Sequence, residues 1–219
     1  VRSGKLDEKI VDQACERILK INYRYLENAR PETPWDKEAD HRLSARIAEE
    51  CMVLLKNEGV LPLEKKAETA FIGEFAASPR FQGGGSSHIN CFKITSALEA
   101  ARDLPVTYAR GYSVESDSAT DEMIAEAVKA ARAAKVAVVF AGLPDSYESE
   151  GYDRRHMALP ECQNRLIEAV AGANPNTVVV LHNGSPVEMP WLGRVKAVLE
   201  AYLGGQAVGI AVVRLLYGD

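Results

Sequence analysis

The chain has 219 residues, 47% hydrophobic and 26% charged, with a formal net charge of -5. This suits a soluble globular protein that buries its own core, as one large domain or one domain with an appendage. Lys and Arg are scattered, which argues against nucleic acid or a charged membrane surface as partner, and no run approaches the ~18 apolar residues that span a bilayer.

Asp7 is placed to cap a helix whose apolar residues Ile10, Val11, Ala14, Cys15, Ile18 and Leu19 recur at helical spacing. The helix should fade near Leu26, before the breaker-rich run Pro31-Glu32-Thr33-Pro34, which reads as an extended linker. A second helix is expected over 41–57, with the stripe Leu43, Ile47, Ala48, Cys51, Leu54 and Leu55, stopped by Gly59.

Beyond Pro62 the pattern changes to short apolar runs at 69–75, 106–109, 136–143, 177–182 and 197–203. The runs at 136–143 and 177–182 are apolar on both faces, as interior strands of a parallel sheet must be. Helices are expected between them at 95–102, 118–133 and 160–171, with a last one at 206–216. Ser118 and Asp121 have capping-box-like spacing, and Pro160 suits an early helical position. Alternating strands and helices predict an α/β fold, an open and mostly parallel sheet between two helical layers. Ligands of such sheets lie beyond the carboxyl ends of the strands, which singles out the loops after 69–75 and 136–143.

The first of these loops is Phe81-Gln82-Gly83-Gly84-Gly85-Ser86-Ser87-His88. It lacks the Lys of a phosphate-binding P-loop, and no helix opens directly from it as a dinucleotide site requires, so nucleotide binding is disfavoured. A backbone open to a ligand, or a plain flexible surface loop, remain equal alternatives. The second is Asp145-Ser146-Tyr147-Glu148-Ser149-Glu150-Gly151-Tyr152-Asp153-Arg154. Most acidic loops are simply solvated, but clustered carboxylates and partial burial raise a carboxyl pKa, as a general acid at neutral pH requires. Glu150, followed by glycine, stands at the most open point. Its tyrosines can stack on sugar rings, and Asp/Arg pairs can orient a neighbour.

Other chemistry finds little support. His41, His88, His156 and His182 form no zinc-binding pair, no G-x-S-x-G elbow occurs, and no metal or cofactor is expected. Asn183-Gly184-Ser185-Pro186 reads as the turn leaving a strand, and Trp191 as a packing anchor. Cys15, Cys51, Cys91 and Cys162 contain no C-x-x-C pair and are expected to be reduced structural thiols, the first two on apolar helix faces. The sequence opens on Val1 without an initiator Met and stops at Asp219, so both ends are read as cut. The lack of a signal-peptide pattern favours the cytoplasm only weakly.

Ser149-Glu150-Gly151-Tyr152-Asp153-Arg154 followed by Leu159-Pro160 resembles the acid/base loop of family 3 glycoside hydrolases. Val53-Leu54-Leu55-Lys56-Asn57, Gly83-Gly84-Gly85-Ser86, Asn174-Pro175-Asn176-Thr177, Pro186-Val187-Glu188-Met189-Pro190-Trp191 and Tyr202-Leu203-Gly204-Gly205-Gln206 agree with it in order and spacing. The resemblance implies a three-layer α/β/α, flavodoxin-like domain with a mostly parallel five- to six-stranded sheet, following a (β/α)8 barrel. On this reading residues 1–30 are the barrel's last helix, 31–45 the linker, and 46–219 the C-terminal α/β domain, truncated at its own C-terminus. The segment 110–120 is too short for the extra sugar-binding module that some relatives insert. The resemblance further implies a retaining exo-acting β-glucosidase, its substrate a β-glucoside or related oligosaccharide, Glu150 as acid/base and Ser86 near the −1 sugar. The nucleophilic aspartate would lie on the barrel, absent from this chain, so the chain alone is expected to be inactive. The rival reading is a non-catalytic carbohydrate-binding or structural flavodoxin-like module.

Overall fold

The computed structural model describes residues 1–30, 34–151 and 153–219. Pro31, Glu32 and Thr33 of the expected linker and Tyr152 of the acidic loop lie outside the described residues. The chain divides into two units, Val1–Asp36 and Lys37–Asp219.

The first unit is one long helix, α1 (Glu8–Asn28), whose cap is as expected: the Asp7 carboxylate accepts from the Lys9 N–H. Ile10, Ile18, Leu19, Ile21, Tyr25 and Leu26 are all exposed. Such an amphipathic helix gains little from propensity alone and draws its stability from packing of its apolar face.

The second unit is built on a sheet ordered β1-β6-β5-β4-β2-β3. The strands are β1 (Val53–Asn57), β2 (Thr69–Ile72), β3 (Val106–Ala109), β4 (Val136–Gly142), β5 (Thr177–His182) and β6 (Ala197–Glu200). The five from β2 to β6 are mutually parallel, and β1 is antiparallel to β6. β4 and β5 are buried along their whole length, which is why each can be apolar on both faces. Helices α2 (Lys37–Cys51), α3 (Ala97–Ala100), α4 (Asp121–Ala133), α5 (Glu161–Ala173) and α6 (Val208–Tyr217) flank the sheet.

Three expectations need correcting. The helix expected over 41–57 starts at Lys37 and ends at Cys51, and Val53–Asn57 is an edge strand. Leu54 and Leu55 continue the helical stripe in sequence, so periodicity could not separate the two. Unpaired backbone groups along β6 and the Asn57 turn decided for the strand. The Asn57 side chain accepts from the N–H groups of Gly59, Val60 and Leu61 and donates to the Leu61 carbonyl. The cap of α4 is Thr120, whose hydroxyl accepts from the Met123 N–H at 3.3 Å, whereas Ser118 bridges to Ser113. Cys15 and Cys51, though free thiols, are exposed rather than packed.

A buried histidine ties α2 to the domain. The Gln206 amide donates to His41 Nδ1 at 2.9 Å, leaving Nε2–H to donate to the Thr95 hydroxyl at 2.9 Å. Burial, above the nearby Lys93 charge, lowers the pKa of this ring. The α3 and α6 backbones meet at Gly209, where a Cβ would lie 2.1 Å from the Ser96 carbonyl carbon and 2.4 Å from the Ala97 nitrogen. Rigid backbone cannot yield that space, so Gly209→Ala should destabilise the domain by about 3 kcal/mol, the upper range for overpacking. A urea titration should show the midpoint falling with the m-value unchanged.

Candidate functional site at the sheet switch point

The chain leaves β2 outward to β3 and then returns to place β4 on the other side of β2. Loops following β2 and β4 therefore run apart, and the crevice between their starts is where ligands of open α/β sheets bind. Both loops singled out in the sequence grow from this point.

One side chain joins them. Arg80, in the connection after β2, is only 6% exposed. Its Nη1 donates to the Leu143 carbonyl at 2.7 Å and to Glu148 Oε2 at 2.5 Å. Nη2 donates to the Glu148 carbonyl at 2.8 Å, and Nε to Asp145 Oδ1 at 2.9 Å. A planar guanidinium suits this task because its donors diverge in a fixed fork. The turn after β5 adds the Gly184 N–H, 2.8 Å from Glu148 Oε2, and the Ser185 hydroxyl, which donates to Glu148 Oε1. Burial alone would raise the pKa of Glu148. Donation from Ser185, Gly184 and Arg80 outweighs it and holds this carboxyl below the usual range.

Glu150 and Ser86, 64 positions apart in sequence, meet: the Ser86 N–H donates to Glu150 Oε2 at 2.7 Å. The glycine loop makes this contact sterically possible. Gly85 has φ +84, and a Cβ there would lie 2.5 Å from Glu150 Cβ; one on Gly84 would lie 2.8 Å from Ser149 Oγ. The glycines thus admit the acidic loop itself, a use that neither of the two alternatives weighed from the sequence, close approach of a ligand or a plain surface loop, included. The carboxyl pKa also runs opposite to expectation. Glu150 is exposed, and the Ser86 hydroxyl and then the Ser86 N–H hold its pKa below the ordinary value. Desolvation, which would raise it, is outweighed by these two donors.

The remaining sequence candidates are tied down. The Tyr147 hydroxyl donates to Asp117 Oδ2 at 2.8 Å, and burial, then Asp117, push its pKa up to about 12. Arg154 Nη2 donates to the Pro186 carbonyl at 2.6 Å. Trp191 is buried, with its indole N–H on Asn164 Oδ1 at 3.0 Å, a packing anchor as expected. Among the described residues no group of three His, Cys, Asp or Glu could hold a metal ion, and no helix is long and apolar enough to cross a membrane.

Sequence reasoning missed Arg80 and Glu200, which no motif marks, and read Asn183 only as part of a turn; burial is what singles the three out. Glu200, at the carboxyl end of β6, is 6% exposed and accepts from the Tyr202 N–H at 3.1 Å and Asn183 Nδ2 at 3.1 Å. Beside it, the buried His182 ring stacks on Phe140.

This is a doubly wound α/β domain with its polar cluster at the switch point. The family model described as the glycosyl hydrolase family 3 C-terminal domain matches residues 52–219, and the chain belongs to that family. It is 54% identical over its whole length to thermostable beta-glucosidase B of Acetivibrio thermocellus, of which it spans 30%. It is 40% identical over its whole length to an exo-alpha-(1->6)-L-arabinopyranosidase of Bifidobacterium longum, of which it spans 31%. Among solved structures, the Bifidobacterium adolescentis GH3 beta-glucosidase superposes with a TM-score of 0.91 at 39% identity, over 99% of this chain and 33% of that one.

Burial pushes the Glu200 pKa up to about 7 from 4.5, with the Glu148 charge adding to it and the Tyr202 and Asn183 donors opposing. Between these values the folded state keeps a proton that the unfolded chain has lost. The stability this carboxyl contributes is therefore present below pH 4.5 and lost as pH rises to about 7. His182 acts in reverse: burial lowers its pKa from 6.5 to about 4, so its contribution is present above pH 6.5 and lost as pH falls towards 4. Glu200→Gln removes the first slope and keeps the second. Relative to the unaltered protein, the variant's unfolding free energy should rise with pH across this window, as denaturant titrations at stepped pH would show.

Proposed function

We propose that this chain is the acid/base-bearing domain of a retaining exo-acting glycosidase of the β-glucosidase type, with Glu150 as the proton donor and Ser86 beside the −1 sugar. The observation that carries the reading is the Ser86–Glu150 contact, which joins two otherwise separate loops at the ligand-binding edge of the sheet. Retention needs two carboxyl groups about 5 Å apart, one attacking the anomeric carbon and one donating, then accepting, a proton. The nucleophile belongs to a (β/α)8 barrel of which this chain carries only the last helix, α1.

Exposure of Glu150 supports this division. Its lowered pKa suits the base half of the cycle, in which the carboxylate takes a proton from water. For the acid half the carboxyl must be covered and set near a second negative charge, both of which raise its pKa. A barrel surface carrying an aspartate supplies both. The similar proteins act on glucosides and on α-L-arabinopyranosides, which share an equatorial leaving group, so sugar selection falls to residues outside this domain. A non-catalytic sugar-binding role is the second reading, favoured by the same exposure of Glu150.

The isolated chain should not hydrolyse aryl β-glucosides, and measurable turnover by the purified domain would refute the split site. In the complete protein, Glu150→Gln should lower kcat/KM for phenyl β-glucoside by ~10²–10⁴-fold, the span of general acid catalysis. A loss below ~10-fold would favour the non-catalytic reading.

A further inference from the structure

Glu150 has Ser86 as its hydrogen-bonding neighbour and is otherwise exposed, so its own surroundings do little to hold it. Glu148, two positions earlier, is in the opposite situation. Its carboxylate receives the Arg80 guanidinium from the connection after β2, and the Gly184 N–H and Ser185 hydroxyl from the turn after β5. Its carbonyl receives Arg80 as well. That turn is itself braced. Asn183 Nδ2 bridges the Ser185 carbonyl at 3.2 Å and Glu200 Oε2 at 3.1 Å, and Glu200 accepts from the N–H of Tyr202, whose φ is +52. The chain of bonds runs from the end of β6, through the turn after β5, to the acidic loop after β4 and the connection after β2.

We propose that Glu148 is a positioning residue, clamped by Arg80 and the Asn183–Ser185 turn, and that this clamp sets where Glu150 presents its carboxyl. This rests on Glu150 being the proton donor. Glu148 is the other glutamate of the acidic loop, and its oxygens are already engaged by donors from two other segments. A proton donor must reach the leaving oxygen; Glu148 is turned into the protein instead.

The test uses the complete protein and two aryl β-glucosides, phenyl, whose leaving group needs a proton, and 2,4-dinitrophenyl, whose leaving group does not. Arg80→Ala is a poor choice because it removes a buried guanidinium and strands the half-buried Glu148 carboxylate, which threatens the fold. Ser185→Ala removes one donor, and Glu148→Ala removes the clamped group; thermal melts establish that each is folded. Both should lose about 10- to 10²-fold in kcat/KM on the phenyl glucoside, the scale of a misplaced catalytic group, and under 3-fold on the dinitrophenyl glucoside. Azide, an anion that attacks the anomeric carbon as the enzyme carboxylate departs and needs no base, should accelerate dinitrophenyl turnover by Glu150→Ala. It should not accelerate the Glu148 variant, where Glu150 still fills and repels the site.

Equal losses on both substrates, or none, in folded variants would overturn the positioning role while leaving Glu150 as donor. Azide rescue of Glu148→Ala but not of Glu150→Ala would make Glu148 the donor and overturn both. If Glu150→Ala shows neither rescue nor leaving-group dependence, the acid/base reading fails, whatever the Glu148 variants do.

Discussion

Arg80 is the interaction on which the site depends. A guanidinium buried at the switch point of the sheet has to find acceptors for its donors, and here they all come from the segment 143–148. Desolvating that charge is offset only because the acceptors are fixed in a matching fork. The loop after β4 is thereby fastened to the connection after β2, and the glycine loop can lie against it. This fastening acts together with the Gly184 and Ser185 donors of the turn after β5, which grip the same loop at Glu148.

The fold distributes its rigidity accordingly. β5 and β6, buried throughout, end in the polar cluster formed by His182, Asn183 and Glu200. The buried ionisable groups pull the pH dependence of stability in opposing directions, so the cluster tolerates mild acid and neutral conditions alike. At the tips, Ser86 and Glu150 are exposed. A stiff base with an open end fits the proposed reading, in which a second domain completes the site. The chain spans about 30% of its similar proteins, which leaves room for such a domain.

Much of the architecture was legible in the sequence because one physical signal dominates it. Runs such as Val136-Ala137-Val138-Val139-Phe140 can be stable only as strands covered on both faces, and the helical stripes between them fix the alternation. The signal failed where apolar periodicity is degenerate. Leu54 and Leu55 fit both a helix continuing from Cys51 and a strand, and the open edge of β6 settled the matter. The cap of α4 failed for a similar reason, since Ser118 and Thr120 are both competent and the bridge to Ser113 engaged the first.

The candidate site divides along the same line. The residues marked the acidic loop with Glu150 and the three-glycine loop, and put both at the carboxyl edge of a parallel sheet, because the succession of strands and helices and the loop chemistry are local properties; Ser86 was named only through the family resemblance. That the two residues touch, that the glycines make room for protein rather than ligand, and that Glu148 is engaged while Glu150 is open were decided by the tertiary structure. These depend on contacts between segments far apart in the chain, on burial, and on the hydrogen-bond donors that burial forces together. Charge followed the same rule: Glu148 and Glu150 are both held below the usual carboxyl range, the first by Ser185, Gly184 and Arg80 against its burial and the second by Ser86.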